Sequence, residues 1–199
     1  DRVPRAHHRR SGPGPLSVAA WLQHAGAQND VVEWARPYGT DWNAAMTACP
    51  RADWLLGIAA RLHLPREALA RAAMACVRVA HAGREMPDVA LAALESVHTW
   101  AIHWEPFANC AKHAALCEEA AKHAKTPAEA ALLNAVASVA RIPDDPASAA
   151  LAATYSVELS LAQADDDELM SVMLSAQSSC VEAARVHLPI ALFESARAT

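Results

Sequence analysis

The residues best suited to chemistry stand close together mid-chain, as Cys110-x2-His113-x3-Cys117-x5-His123. Thiolate and imidazole are common zinc ligands. On a helix, positions 110, 113 and 117 share one face, and position 123 leaves it. Three ligands from one straight helix cannot surround a tetrahedral ion, so a second element would have to bring His98 or His103 alongside. His98 and His103 themselves diverge by roughly 140° at about 100° per residue, so they cannot both reach one ion from the same helix. The plainer expectation is a pair of small buried cysteines with peripheral histidines, no metal and no cofactor. A metal- or haem-binding protein is the alternative, with His98, His103, Cys110, His113 and Cys117 as its candidates.

Other reaction classes find less support. With 6 Gly there is no Gly-x-Ser-x-Gly elbow and no glycine-rich phosphate loop, and the 5 cysteines form no Cys-x-x-Cys pair. The reading leans away from an enzyme. Net charge is −5, the opposite of the basic surplus that gives general nucleic-acid binders their affinity, so no nucleic-acid partner is expected. The one basic cluster, around Arg2, Arg5, Arg9 and Arg10, lies among prolines and glycines and reads as a flexible arm over 1–15. No apolar run reaches the roughly 20 residues of a membrane span, so no membrane partner is expected. Scattered cysteines in odd number fit free thiols and a cytoplasmic location.

The elements that would position these residues are helices. The chain is 53% hydrophobic with only 5% aromatics, and alanine dominates its apolar content. Alanine is the best helix former and loses no side-chain entropy on burial. Trp54, Leu55, Ile58, Ala59 and Leu62 make one apolar stripe at helical period. Leu69, Ala72, Ala73, Cys76, Val77 and Ala80 make another, in a helix opened by Pro65 and closed near Gly83. Thr126-Pro127-Ala128-Glu129 has the form of a capping box with proline at the first helical position. Asp165 to Glu168 puts negative charge at the start of a long helix, where the macrodipole favours it.

The expected fold is therefore all-α: an up-and-down array or bundle of about nine helices with short loops, in a single domain over 16–199. All 6 Trp lie at or before Trp104, which suggests a subdomain junction near 105–106. One echo stands out: Ala-Ala-Arg-Leu-His-Leu-Pro at 59–65 and Ala-Ala-Arg-Val-His-Leu-Pro at 183–189, both at helix ends.

Three stretches together carry a family resemblance. Trp42 to Leu56 has the form W-x6-C-x3-DWLL, Leu69 to Arg78 is an Ala-Cys helix, and Ala93 to Ala101 has the form ALE-x4-WA. Over about residues 42–105 the chain resembles bacterial immunity proteins of the Imm-5-like family. It departs at His98 and His103, where the family carries Arg. The resemblance implies a non-catalytic helical protein that binds and neutralises a cognate toxin, with Asp53, Trp54, Glu95 and Trp100 as partner-binding candidates. Without that partner, Asp53 is an early-turn acid of its helix and Trp100 a core residue. Long Ala-rich helices can also pair, so a self-assembling scaffold or homo-oligomer is a further alternative. Any specific surface is expected within 42–105, with the Ala-rich remainder as packing.

Overall fold

The computed structural model describes residues 16–103 and 106–197. The arm over 1–15, and Trp104 and Glu105 at the expected junction, lie outside the described residues. Helices form α1 (Val18–His24), α2 (Asn29–Ala35), a single 3-10 turn (Arg36–Tyr38), α3 (Trp42–Ala48) and α4 (Ala52–Arg61). Then come α5 (Arg66–His81), α6 (Asp88–His103), α7 (Ala108–Lys122) and α8 (Pro127–Arg141), followed by α9 (Ser148–Leu161), α10 (Leu169–His187) and α11 (Ile190–Arg197). The all-α class holds, with no strand among the described residues. The expected count of about nine becomes eleven α-helices among the described residues. One reason is the segment after Pro189, which closes into α11 around buried Phe193.

Local signals set most of the boundaries. Thr126 Oγ1 accepts the Glu129 amide at 3.1 Å, and Glu129 Oε2 reaches back to the Lys125 N–H at 2.8 Å. Asp41 caps α3 by accepting the Ala44 N–H at 2.9 Å. At the end of α5, Ala82 and Gly83 both take positive φ, 51° and 71°, and the buried His81 Nε2 donates to Arg84 O at 2.7 Å. The acidic run stops short of its helix: Glu168 is the N-cap of α10 and no acid falls in its first turn.

The chain divides into two compact units, one ending at Ala45 and one beginning at Met46. In the first, α1 and α2 bury Val18, Leu22, Val31, Val32 and Ala35. Trp21 meets Trp42 edge-on, with ring centroids 5.2 Å apart.

In the second unit, α5 is the hub and packs against α4, α6, α8, α9 and α10. Helices bury all-round only when they are apolar all-round. α5 comes close, with Leu69, Ala70, Ala72, Ala73, Cys76 and Val77 among its buried residues. Its partner α10 offers a stripe of small buried residues one turn apart: Ala176, Cys180 and Ala184. Small side chains let the two backbones approach until each thiol reaches the other helix. Cys76 Sγ lies 3.4 Å from Cys180 O, and Cys180 Sγ lies 3.9 Å from Cys76 O. Farther along α10, Arg185 Nη2 donates to the carbonyls of Met46, at 3.2 Å, of Thr47, and of Cys49, at 3.0 Å. Two of these belong to the end of α3, where C=O groups lack helical partners and a cation is favoured.

This close crossing is sensitive to size. Ala184→Leu, at a fully buried position of the α10 stripe, should lose about 1–3 kcal/mol through overpacking. Leu174→Ala, exposed on the same helix, should stay within about 0.5 kcal/mol. Urea denaturation of both variants checks the pair.

Candidate functional site

Because α5 is covered by five helices, its exposure beyond the first residue Arg66 is confined to one strip: Glu67, Arg71, Ala75, Arg78 and Val79, followed by Ala82 beyond its last turn. A hollow of about 350 Å³ lies over that strip. α6 forms one wall, with Ala101 and Ile102, and the end of α10 contributes His187. The floor is apolar, from Met74, Ala75 and Val79. Its polar side chains are Arg71, Arg78, His98 and His187, and no acid among the described residues lines it.

These arginines differ from most of the others. Arg36, Arg51 and Arg141 pair with Glu33, Asp53 and Glu118. Arg61, Arg66 and Arg185 donate to backbone carbonyls. Among the described residues, Arg71 and Arg78 make no ion pair and no side-chain hydrogen bond, although Glu67 sits one turn before Arg71. Their fields are felt locally. His187 is held below the ordinary imidazole value, first by burial and then by repulsion from Arg71 and Arg78. An unpaired guanidinium beside apolar surface keeps its planar fork of donors available for carboxylate or phosphate.

The sequence-expected residues scatter around this hollow. His98 lines it. Glu95 is exposed on α6, one turn away, and Trp100 is half-buried on the same helix. Asp53 is in the first turn of α4, clamped by Arg51 through two bonds of 3.1 and 2.7 Å. Arg51 also covers Trp54, 4.8 Å from its ring centroid. Asp53 and Trp54 thus form a local arginine-bridged cluster with Arg51, apart from the hollow. The side chain of His103 lies outside the described residues.

Cys110 and Cys117 are buried on the face of α7 that meets α6, with Sγ atoms 3.4 Å from Ser96 O and 3.5 Å from Val89 O. The half-buried His113 has its Nδ1 enclosed without a hydrogen-bond partner among the described residues. His123 is exposed and 3.3 Å from Glu119. No three His, Cys, Asp or Glu side chains among the described residues converge to hold an ion.

Sequence reasoning missed Arg71, Arg78 and His187. A signal existed, since Arg71 and Arg78 are seven residues apart and share a helix face. His187 lies in the second copy of the echoed heptapeptide, whereas His63 of the first copy stands in a turn at φ 56°. The hollow therefore also recruits α10, beyond the 42–105 stretch expected to carry any binding surface.

The fold and this hollow define an all-helical protein with a basic recess over its central helix. No family model, no curated protein and no solved structure matches the chain. No helix among the described residues is long and apolar enough to cross a membrane.

Two measurements check these electrostatics. Replacing Arg71 and Arg78 with Ala should raise the NMR titration midpoint of His187, but not fully, because burial is the larger cause. The sign for stability follows from linkage. As pH falls below the ordinary value of 6.5, the unfolded chain takes the proton first, so His187 costs stability on acidification. The second concerns the thiols: burial pushes both Cys49 and Cys117 up to about 11. Few of either are thiolate at pH 8 and both are buried, so Cys49 and Cys117 should react slowly with a disulfide reagent in the native protein and rapidly in denaturant.

Proposed function

We propose that this chain is a non-catalytic helical binding protein of the immunity type, which neutralises a cognate toxin by docking it on α6. One observation carries the reading. The helix bearing the ALE-x4-WA residues presents an exposed stripe, Leu91, Glu95, His98 and Ile102, at i, i+4, i+7 and i+11. Leu91 and Ile102 are 51% and 50% exposed, so the two ends of the stripe offer apolar contact area on either side of its polar residues. The partner this stripe fits offers apolar contacts for the two aliphatic ends and a cation for Glu95. Its energy comes from desolvating Leu91 and Ile102, while Glu95 sets orientation and association rate.

Co-expression with toxins encoded next door, followed by pull-down, tests the reading. Leu91→Asp and Ile102→Asp should each weaken capture at least tenfold and remove protection. Glu95→Lys should mainly slow association and change its salt dependence. Asp53→Asn should lower stability by breaking the Arg51 clamp while leaving capture intact. No bound toxin and no protection with the unaltered chain would sink the proposal.

A further inference from the structure

The structure assigns the hollow between α5, α6 and the end of α10 as a binding site for an organic anion: a carboxylate or phosphate head on an apolar body. This deepens the docking reading, on which it rests only where the anion is a partner's own acidic side chain.

Four observations converge on it. The first is charge. Arg71, Arg78, His98 and His187 line one recess with no acid among the described residues, in a chain of net charge −5. A field of that sign on an acidic protein is local, so it selects what enters the recess rather than steering ligands to the whole surface. The second is availability. Arg36, Arg51 and Arg141 are neutralised by carboxylates, and Arg61, Arg66 and Arg185 are held by carbonyls. Arg71 and Arg78 have no such partner among the described residues. Both lie close enough to His187 to disfavour its protonated form, and an anion placed between them would meet two guanidinium forks.

The third is shape. A recess of about 350 Å³ falls within the roughly 300–1,000 Å³ of small-molecule sites. Met74, Val79 and Ile102 make its walls and floor apolar, which a bare inorganic anion would leave unused. The fourth is register. Arg71 and Arg78 are two turns apart on α5, about 10 Å along the axis, with Met74 and Ala75 between them. Their side chains can close on one head group from both sides, or each take one end of a longer dianion, with the apolar body over Met74 and Ala75.

Two sources supply this chemistry, a free small molecule or an acidic side chain of a docked protein. Calorimetric titration of the full chain with hexyl phosphate, hexanoate, inorganic phosphate and hexanol tests the site itself. Hexyl phosphate or hexanoate should bind saturably and at least tenfold more tightly than either inorganic phosphate or hexanol. Arg71→Gln with Arg78→Gln should abolish that binding with little change in melting temperature, since both side chains are exposed. Lys112→Gln, on α7 outside the hollow, should leave it intact. His98→Gln, which keeps a donor and removes the basic nitrogen, should weaken it severalfold.

Equal binding of hexanol, binding that survives the double arginine substitution, or no saturation at millimolar concentration would each overturn the assignment. Where toxin capture is also observed, displacement of hexyl phosphate by the toxin identifies its acidic side chain as the occupant. Simultaneous binding identifies a free ligand. Capture without any anion binding overturns this inference and leaves the docking proposal standing, and anion binding without capture does the reverse.

Discussion

Everything in the second unit depends on how closely its helices can approach α5. Alanine and cysteine along α5, α9 and α10 thin the side-chain layer that separates packed helices. The reciprocal contacts of Cys76 and Cys180 with each other's carbonyls mark how near the backbones come. Buried hydroxyls fit the same regime because each is satisfied within its own helix: Ser156 donates to Ala152 O at 2.7 Å and Ser138 to Asn134 O at 2.8 Å. Dispersion between many small, well-fitted atoms takes the place of a few large aromatic contacts. The same tolerance makes the crossing intolerant of added volume.

Surrounding α5 so completely has a functional consequence. Beyond its first residue, five neighbours leave it one strip of exposure, and on that strip stand two arginines with no ion pair among the described residues. A charged side chain on a central helix must emerge through whatever gap its neighbours leave. Here the gap is walled by α6 and by the end of α10, which turns exposed charge into a recess. The contrast with Arg51, Arg141 and Arg185 is physical. Those three are consumed by a carboxylate or by the loose carbonyls at a helix end, so they hold structure together and have less left to offer a ligand.

The family-like motif residues divide along the same line. Asp53 and Trp54 lie in a helix whose next residues, Leu55 and Leu56, are core, and Arg51 folds over both of them. Glu95 and His98 sit on the outer face of α6 and remain accessible. The thiols Cys110 and Cys117 stand at a spacing that could serve either metal binding or packing. They turn inward to α6, because a helix in an Ala-rich array buries its small residues.

Sequence by itself determined the helical class, most of the starts and stops, and the absence of glycine-rich or nucleophile motifs. These are properties of a residue and its near neighbours: alanine propensity, the Thr126 cap, the prolines. It could not determine which face of each helix would be covered. Alanine is equally at home in core and at surface, so a chain rich in it gives a blurred hydrophobic stripe and leaves rotation about each helix axis open. Only packing chose the strip of α5 that stays exposed. Only packing brought His187 of α10 to Arg71 and Arg78, more than a hundred residues earlier in the chain, and so made a recess from residues that no local pattern joins.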